Sequence, residues 1–185
     1  GVRVIVLFIS YNMGMFAIIT MAPLYLRENH DLGWLATAMA MAAMMLPGAL
    51  MQPWMGKISD SLGRRPLIII GNGVAAVAAF VAWLPSPFAL SLIALGIALT
   101  ALVAIRAVLL ASAIDHSGGR EGTSLGLTFA FMDGFAASGA VLAGIVAESN
   151  IANAFLLASG FSVVAVLLAV AQPKSARATT DPALP

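Results

Sequence analysis

The chain has 185 residues, of which 61% are hydrophobic and only 9% charged, with a formal net charge of +1. A soluble domain carries about 25% charged residues, so this composition excludes a water-exposed globular surface; the total charge says nothing about acidic partners, and no nucleic-acid partner is expected. With no cysteine there is neither a disulfide framework nor thiol chemistry.

A membrane-spanning helix takes about 20 mostly apolar residues, and six such runs follow one another. The first is predicted over Val2 to Leu26; it is too long for the apolar core of a signal peptide and lacks a small-residue cleavage site. Near its middle stand Ser10, Tyr11 and Asn12, able to bond a solute or a neighbouring helix. After "RENHD" the second run covers Leu32 to Met55. Its methionines Met39, Met41, Met44 and Met45 suit flexible packing, and Pro47 and Pro53, like Pro23 before them, are expected to kink or end a helix. A charged hairpin, "GKISDSLGRRP" (56–66), follows. Gly56 is expected to end the second helix, Gly63 to permit the turn and Pro66 to open the third, where its missing N–H costs nothing.

The third run, Leu67 to Leu84, holds one strongly polar side chain, Asn72. Past "PSP" the fourth covers Phe88 to Ala113 and contains Arg106; past "DHSGGREG" the fifth covers Thr123 to Ala147 and contains Asp133. Past "ESN" the sixth covers Ile151 to Gln172, and the remainder, 173–185, reads as a disordered cytoplasmic tail because it has no apolar period. Arg106 and Asp133 are the ionisable residues well inside the spans. A charge there costs about 2.5–3.5 kcal/mol on the insertion scale and normally faces a cavity or a partner. Arg106 can also be read as a snorkelling anchor and Asp133 as a structurally paired carboxylate. Small-residue stripes at Ala136, Ala140, Gly144 and at Gly71, Ala75, Ala79 read as packing surfaces. Thr100 and Thr128 are weaker candidates for solute contact.

Six helices bring both ends to one side. Arg3, Lys57, Arg64, Arg65, Arg120, Lys174 and Arg177 fall on that side and only Arg27 on the other, which places both termini and the hairpin in the cytoplasm. Trp34, Trp54, Trp83 and Tyr25 fall at predicted helix ends, where amphipathic rings favour the interface.

Arg64 and Arg65 alone could be topology anchors, but an aspartate at position 60 adds little to topology. The string Gly56, Asp60, Gly63, Arg64, Arg65 resembles the G-x-x-x-D-x-x-G-R-[RK] signature between helices 2 and 3 of the major facilitator superfamily, with every position filled. The resemblance implies an all-α polytopic membrane protein, with residues 1–172 forming one six-helix half bundle of a twelve-helix transporter. It implies a latch in which Asp60 caps a helix of the other half, with Arg64 and Arg65 as partners or anchors, and a central cavity lined by helices 1, 2, 4 and 5 while 3 and 6 face lipid. On helix 5, "FAASGAVLAG" (135–144) is similar to the family's glycine-rich motif at Gly139 and Gly144 only; its proline is replaced by Ala140, so antiport gains no support. The polar tail, the non-Met start and Gly96 in place of an arginine on helix 4 favour the C-terminal half.

The expected function is secondary active transport of a small solute by alternating access, as symporter or uniporter, with proton coupling an option through Asp133. The expected site comprises Asp133 and Arg106, pairing across the cavity, with Tyr11 and Asn12. The partners implied are a small-molecule substrate, the lipid of a bacterial inner membrane, and the other six-helix half, from the same longer chain or a second copy. His30 and His116 lie in opposite loops, and no H-E-x-x-H, G-x-S-x-G or phosphate-binding loop is present. No enzyme, metal or cofactor is therefore expected. A non-transporting six-helix membrane protein, such as an assembly factor or sensor, is the alternative.

Overall fold

A computed structural model describes residues 2–115 and 121–172, the side chains of residues 2, 115, 121–125, 127, 128 and 131–133 excepted. Six helices follow in chain order: α1 (Val2–His30), α2 (Trp34–Leu62), α3 (Arg64–Trp83), α4 (Phe88–Asp115), α5 (Glu121–Ala147) and α6 (Asn153–Val170). Among the described residues five are long and apolar enough to cross a membrane, and α5 contributes the apolar stretch Gly134–Ala147. Hydrocarbon offers no water to a backbone N–H or C=O, so chains this apolar fold into helices that satisfy those groups internally. The loop 116–120 with His116 and Arg120, and the expected tail with Lys174 and Arg177, lie outside the described residues.

A helix appears over each apolar run, but some ends move. Gly56 does not end α2; the helix runs on to Leu62. An interior glycine costs only about 1 kcal/mol relative to alanine, and the Ser59 hydroxyl donates to the Gly56 carbonyl at 2.6 Å, back along the same turn. Trp54 consequently lies inside α2 instead of at its end. Likewise α1 continues through Arg27–His30 and stops at Asp31, whose φ of 52° breaks the helical path. Pro23, Pro47 and Pro53 end nothing, since each sits within a helix that continues.

The packing follows a pseudo-two-fold pattern. α4 lies against α2 and α3, α1 against α5 and α6, and α3 against α6. Exchanging α1 with α4, α2 with α5 and α3 with α6 reproduces these pairings. Three crossings per unit make the second unit run inverted, the repeat arrangement of many secondary transporters. α1 and α4 bury their large side chains (Leu7, Met15, Ile18; Leu95, Leu99, Leu102), and α3, packed against α4 and α6, buries Ala75, Ala79 and Ala82. α2 and α5 stand at the edges, and α2 leaves Trp34, Leu35, Met39, Leu50 and Trp54 exposed.

At each edge one glycine lets two backbones touch. A Cβ on Gly48 of α2 would come 2.6 Å from the Thr100 carbonyl oxygen of α4; one on Gly139 of α5 would come 2.5 Å from Met13 Cα of α1. The expected α3 stripe packs as read, with Gly71, Ala75 and Ala79 buried. On α5 the stripe is displaced. Ala136, Gly139 and Ala143 are the buried positions, while Ala140 and Gly144 are only half-buried. Alternating steps of three and four follow the 3.6-residue turn better than repeated fours.

Candidate functional site

The first cluster is the α2–α3 hairpin, which reduces to a single residue. Gly63 caps α2 by donating its N–H to the Ser59 carbonyl at 3.0 Å, and Arg64 already begins α3. Gly63 sits at φ 89°, ψ 155°, a conformation open essentially to glycine alone. A Cβ there would meet only Pro66 Cδ, at 4.0 Å, so any penalty comes from the backbone and not from crowding. Gly63→Ala is expected to lower stability by about 1–3 kcal/mol, read as a lower unfolding midpoint in detergent. Gly56→Ala, helical with open space around its Cβ, should show no loss. Equal midpoints for the two variants would remove the backbone argument.

Asp60 lies on the last turn of α2 with its side chain 72% exposed, and Arg64 Nη2 approaches its Oδ1 at 3.8 Å. A pair so exposed contributes about 0–1 kcal/mol, so the carboxylate stays available to another partner. Arg65 has a role that spacing did not reveal. Its Nε donates to the Ala169 carbonyl at 3.0 Å and its Nη2 to that of Val170 at 2.5 Å, while Arg3 Nη1 donates to Ala171 at 3.2 Å. The last carbonyls of a helix lack intrahelical donors and carry its negative dipole end. Two guanidinium groups therefore cap α6 and hold the starts of α1 and α3 beside it.

The second cluster lies mid-bundle. Tyr11 is fully buried, and its hydroxyl donates to the Leu102 carbonyl of α4 at 2.5 Å, an interhelical tie that occupies its proton. Asn12 is equally buried. Its Nδ2 donates to the Phe8 carbonyl of its own helix at 2.9 Å, and its Oδ1 has no partner among the described residues. Successive helical residues turn by about 100°. With Tyr11 directed at α4 and Met13 at α5, Asn12 between them faces the gap separating those two helices. Arg106 is half-buried on α4, with no carboxylate partner among the described residues. Asp133 lies on α5, its side chain outside the described set, as does that of Thr128. Thr100 is committed to a bond with the Met44 carbonyl at 3.0 Å.

An open groove of 540 Å³ lies elsewhere, between α2 and α4, with Val74 of α3 at its rim. Met44, Pro47, Met51 and Ile97 make it apolar, and Thr100 is already bonded, so nothing there can orient a polar solute.

The hairpin and the paired three-helix units are one family's architecture, and residues 4–184 match the sequence model described as Major Facilitator Superfamily. The chain belongs to this superfamily. Comparison with curated proteins returns no match. Members of the Major Facilitator Superfamily are membrane transporters and not enzymes; this chain is accordingly an integral membrane protein of transporter type that handles small molecules within lipid. Several residues that hold this superfamily fold together carried no advance signal. Gly48 stands unmarked in an apolar run, and Gln52, which donates to the Val103 carbonyl at 3.0 Å, reads as an ordinary interfacial polar residue. Arg65 reads as a plain topology anchor until the end of α6 is seen beside it.

Proposed function

We propose that this chain is one six-helix half of a secondary transporter, moving a small solute by alternating access. The solute binds where α1, α4 and α5 meet, at Asp133, Arg106 and Asn12. The observation that carries this reading is a matching of depth. α5 runs parallel to α1, and the close approach of Gly139 to Met13 sets their register, so Asp133, six residues earlier on α5, is level with Leu7. α4 runs antiparallel to α1, and Tyr11 reaches Leu102. The tyrosine side chain leans toward the start of its helix, so its hydroxyl lies below its own Cα, and Arg106 lies one turn beyond Leu102 in the same direction. At backbone level, positions 106 and 133 thus fall within about one helical turn, ~5 Å, and an arginine spans that distance. Asn12 adds a buried acceptor facing the same gap.

The hairpin supplies the gate. Asp60 grips the positive N-terminal end of a helix in the second half, which is either continuous with this chain or another copy, and releases it as the bundles rock. The weak bond to Arg64 suits reversible release. The excess of arginine and lysine at this end supports a cytoplasmic position for it. Energy comes from a solute or proton gradient. The test is uptake by the full-length transporter in proteoliposomes, over a panel of solutes with an imposed pH gradient. Asp60→Asn is expected to lower the turnover rate several-fold while leaving solute binding in detergent unchanged. Unchanged turnover, or a parallel loss of binding, would refute the latch.

A further inference from the structure

We propose that Arg3 and Arg65, which meet over the end of α6, form a headgroup site for one anionic phospholipid of the leaflet at the hairpin end. Arg65 donates to the carbonyls of Ala169 and Val170, and Arg3 to that of Ala171. Successive carbonyls at a helix end stand about 4 Å apart, so the donating nitrogens of the two arginines lie within about 10 Å of each other. A phosphodiester, with the glycerol oxygens beside it, spans that distance. Each guanidinium has N–H donors beyond those it spends on α6. Both can be reached from outside, Arg3 being exposed and Arg65 half-buried.

Charge at this corner is one-sided. No acidic residue stands in the first turn of α1 or of α3, and α6 contains none. Among the described residues neither arginine has a carboxylate partner. Asp60, the carboxylate of the hairpin, meets Arg64, which points about 100° away from Arg65 around α3. The C-terminal end of α6 offsets only about half a unit charge, so two guanidinium groups leave the corner positive. Their planar forks match the oxygens of a phosphate, and basic pockets between spanning helices are where anionic headgroups settle.

The surface beside the corner selects a lipid over free phosphate. Val163, Leu167 and Val170 of α6 are exposed at steps of four and three, and this stripe ends at the residue whose carbonyl Arg65 holds. Ile70 and Val77 of α3 are exposed as well. Gly71 faces Ile105 of α4 and Ala158 faces Gly14 of α1. At about 100° per residue, the five exposed side chains lie on the opposite side of the α3–α6 seam, turned away from the bundle. An acyl chain running down from the corner covers them, and the charge of its headgroup ties the starts of α1 and α3 to α6. The site is separate from the solute site and stands whether or not that reading holds.

Native mass spectrometry tests this on the full-length transporter, released from nanodiscs of mixed phosphatidylglycerol and phosphatidylcholine. Arg3→Gln is expected to remove one retained phosphatidylglycerol per chain. Arg65→Gln should do the same where it folds, but Arg3→Gln decides, because its exposed side chain leaves the packing intact. Lys57→Gln is the control for diffuse attraction. It removes an exposed cation at the same end, from α2, which packs against α4, and should leave that phosphatidylglycerol in place. Unchanged retention in Arg3→Gln overturns the proposal, and so does an equal loss in Lys57→Gln. In detergent, added phosphatidylglycerol should raise the unfolding midpoint of the parent by more than that of Arg3→Gln, while inorganic phosphate raises neither. A rise with phosphate alone that matches the rise with phosphatidylglycerol would overturn the lipid.

Discussion

On the proposed pairing, Asp133→Asn is expected to cut transport by roughly 100-fold or more, because an intramembrane charge that loses its partner is left uncompensated at the solute site. Arg106→Gln should do the same from the other side of the pair. The informative variant is the double one. On that pairing each single substitution leaves one intramembrane charge without its partner, whereas Asp133→Asn with Arg106→Gln leaves none. The double variant should therefore unfold at a higher temperature than Arg106→Gln alone while remaining inactive. Stability that falls further in the double variant would dissolve the pair. Uptake by Asp133→Asn that is normal at every pH would remove Asp133 from both proton coupling and solute binding.

Gly139→Ala is expected to be the most damaging of the conservative packing changes, with Gly48→Ala close behind. The added methyl would lie 2.5 Å from Met13 Cα in the first case and 2.6 Å from the Thr100 carbonyl oxygen in the second. Both obstacles are backbone, so no rotamer change relieves them, and whole helices must separate. Overpacking of this kind costs about 1–3 kcal/mol, and lost contacts along α1–α5 or α2–α4 add to it. Gly73→Ala and Gly160→Ala serve as controls, since nothing lies within 4 Å of a Cβ at either position. The expected order of unfolding midpoints in detergent is controls at or above the parent, then Gly48→Ala, then Gly139→Ala. A Gly139→Ala midpoint equal to that of Gly73→Ala would contradict the backbone contact. The two glycines occupy equivalent places under the exchange of α2 with α5 and α4 with α1, so similar penalties at both would also support the repeat.

The two clusters differ in how far they could be read in advance. The hairpin was legible because its chemistry is local. A glycine at the required spacing, an aspartate on the preceding turn and two arginines describe a capped helix junction wherever the rest of the chain lies. Even so, Gly56 and Gly63 look alike on paper, and only one has an unusual backbone. Gly56 is absorbed into α2 because a helix tolerates a single weak residue when its neighbours continue the hydrogen-bond ladder. Tyr11 and Asn12 were adjacent candidates with indistinguishable claims. They point about 100° apart, so Tyr11 closes a bond to α4 while Asn12, toward the gap beside α5, has an oxygen without a partner among the described residues.

Membrane residence, six spans, their order and the hairpin's character were determined by the sequence alone, because each follows from transfer of side chains between water and hydrocarbon or from backbone preferences within a few residues. Which arginine caps α6, which glycine carries a helix crossing and which of Tyr11 and Asn12 bonds to α4 were decided only by the tertiary structure. Those properties depend on the register between helices, and register is set by the packing of side chains from segments distant in the chain, which no local stretch encodes.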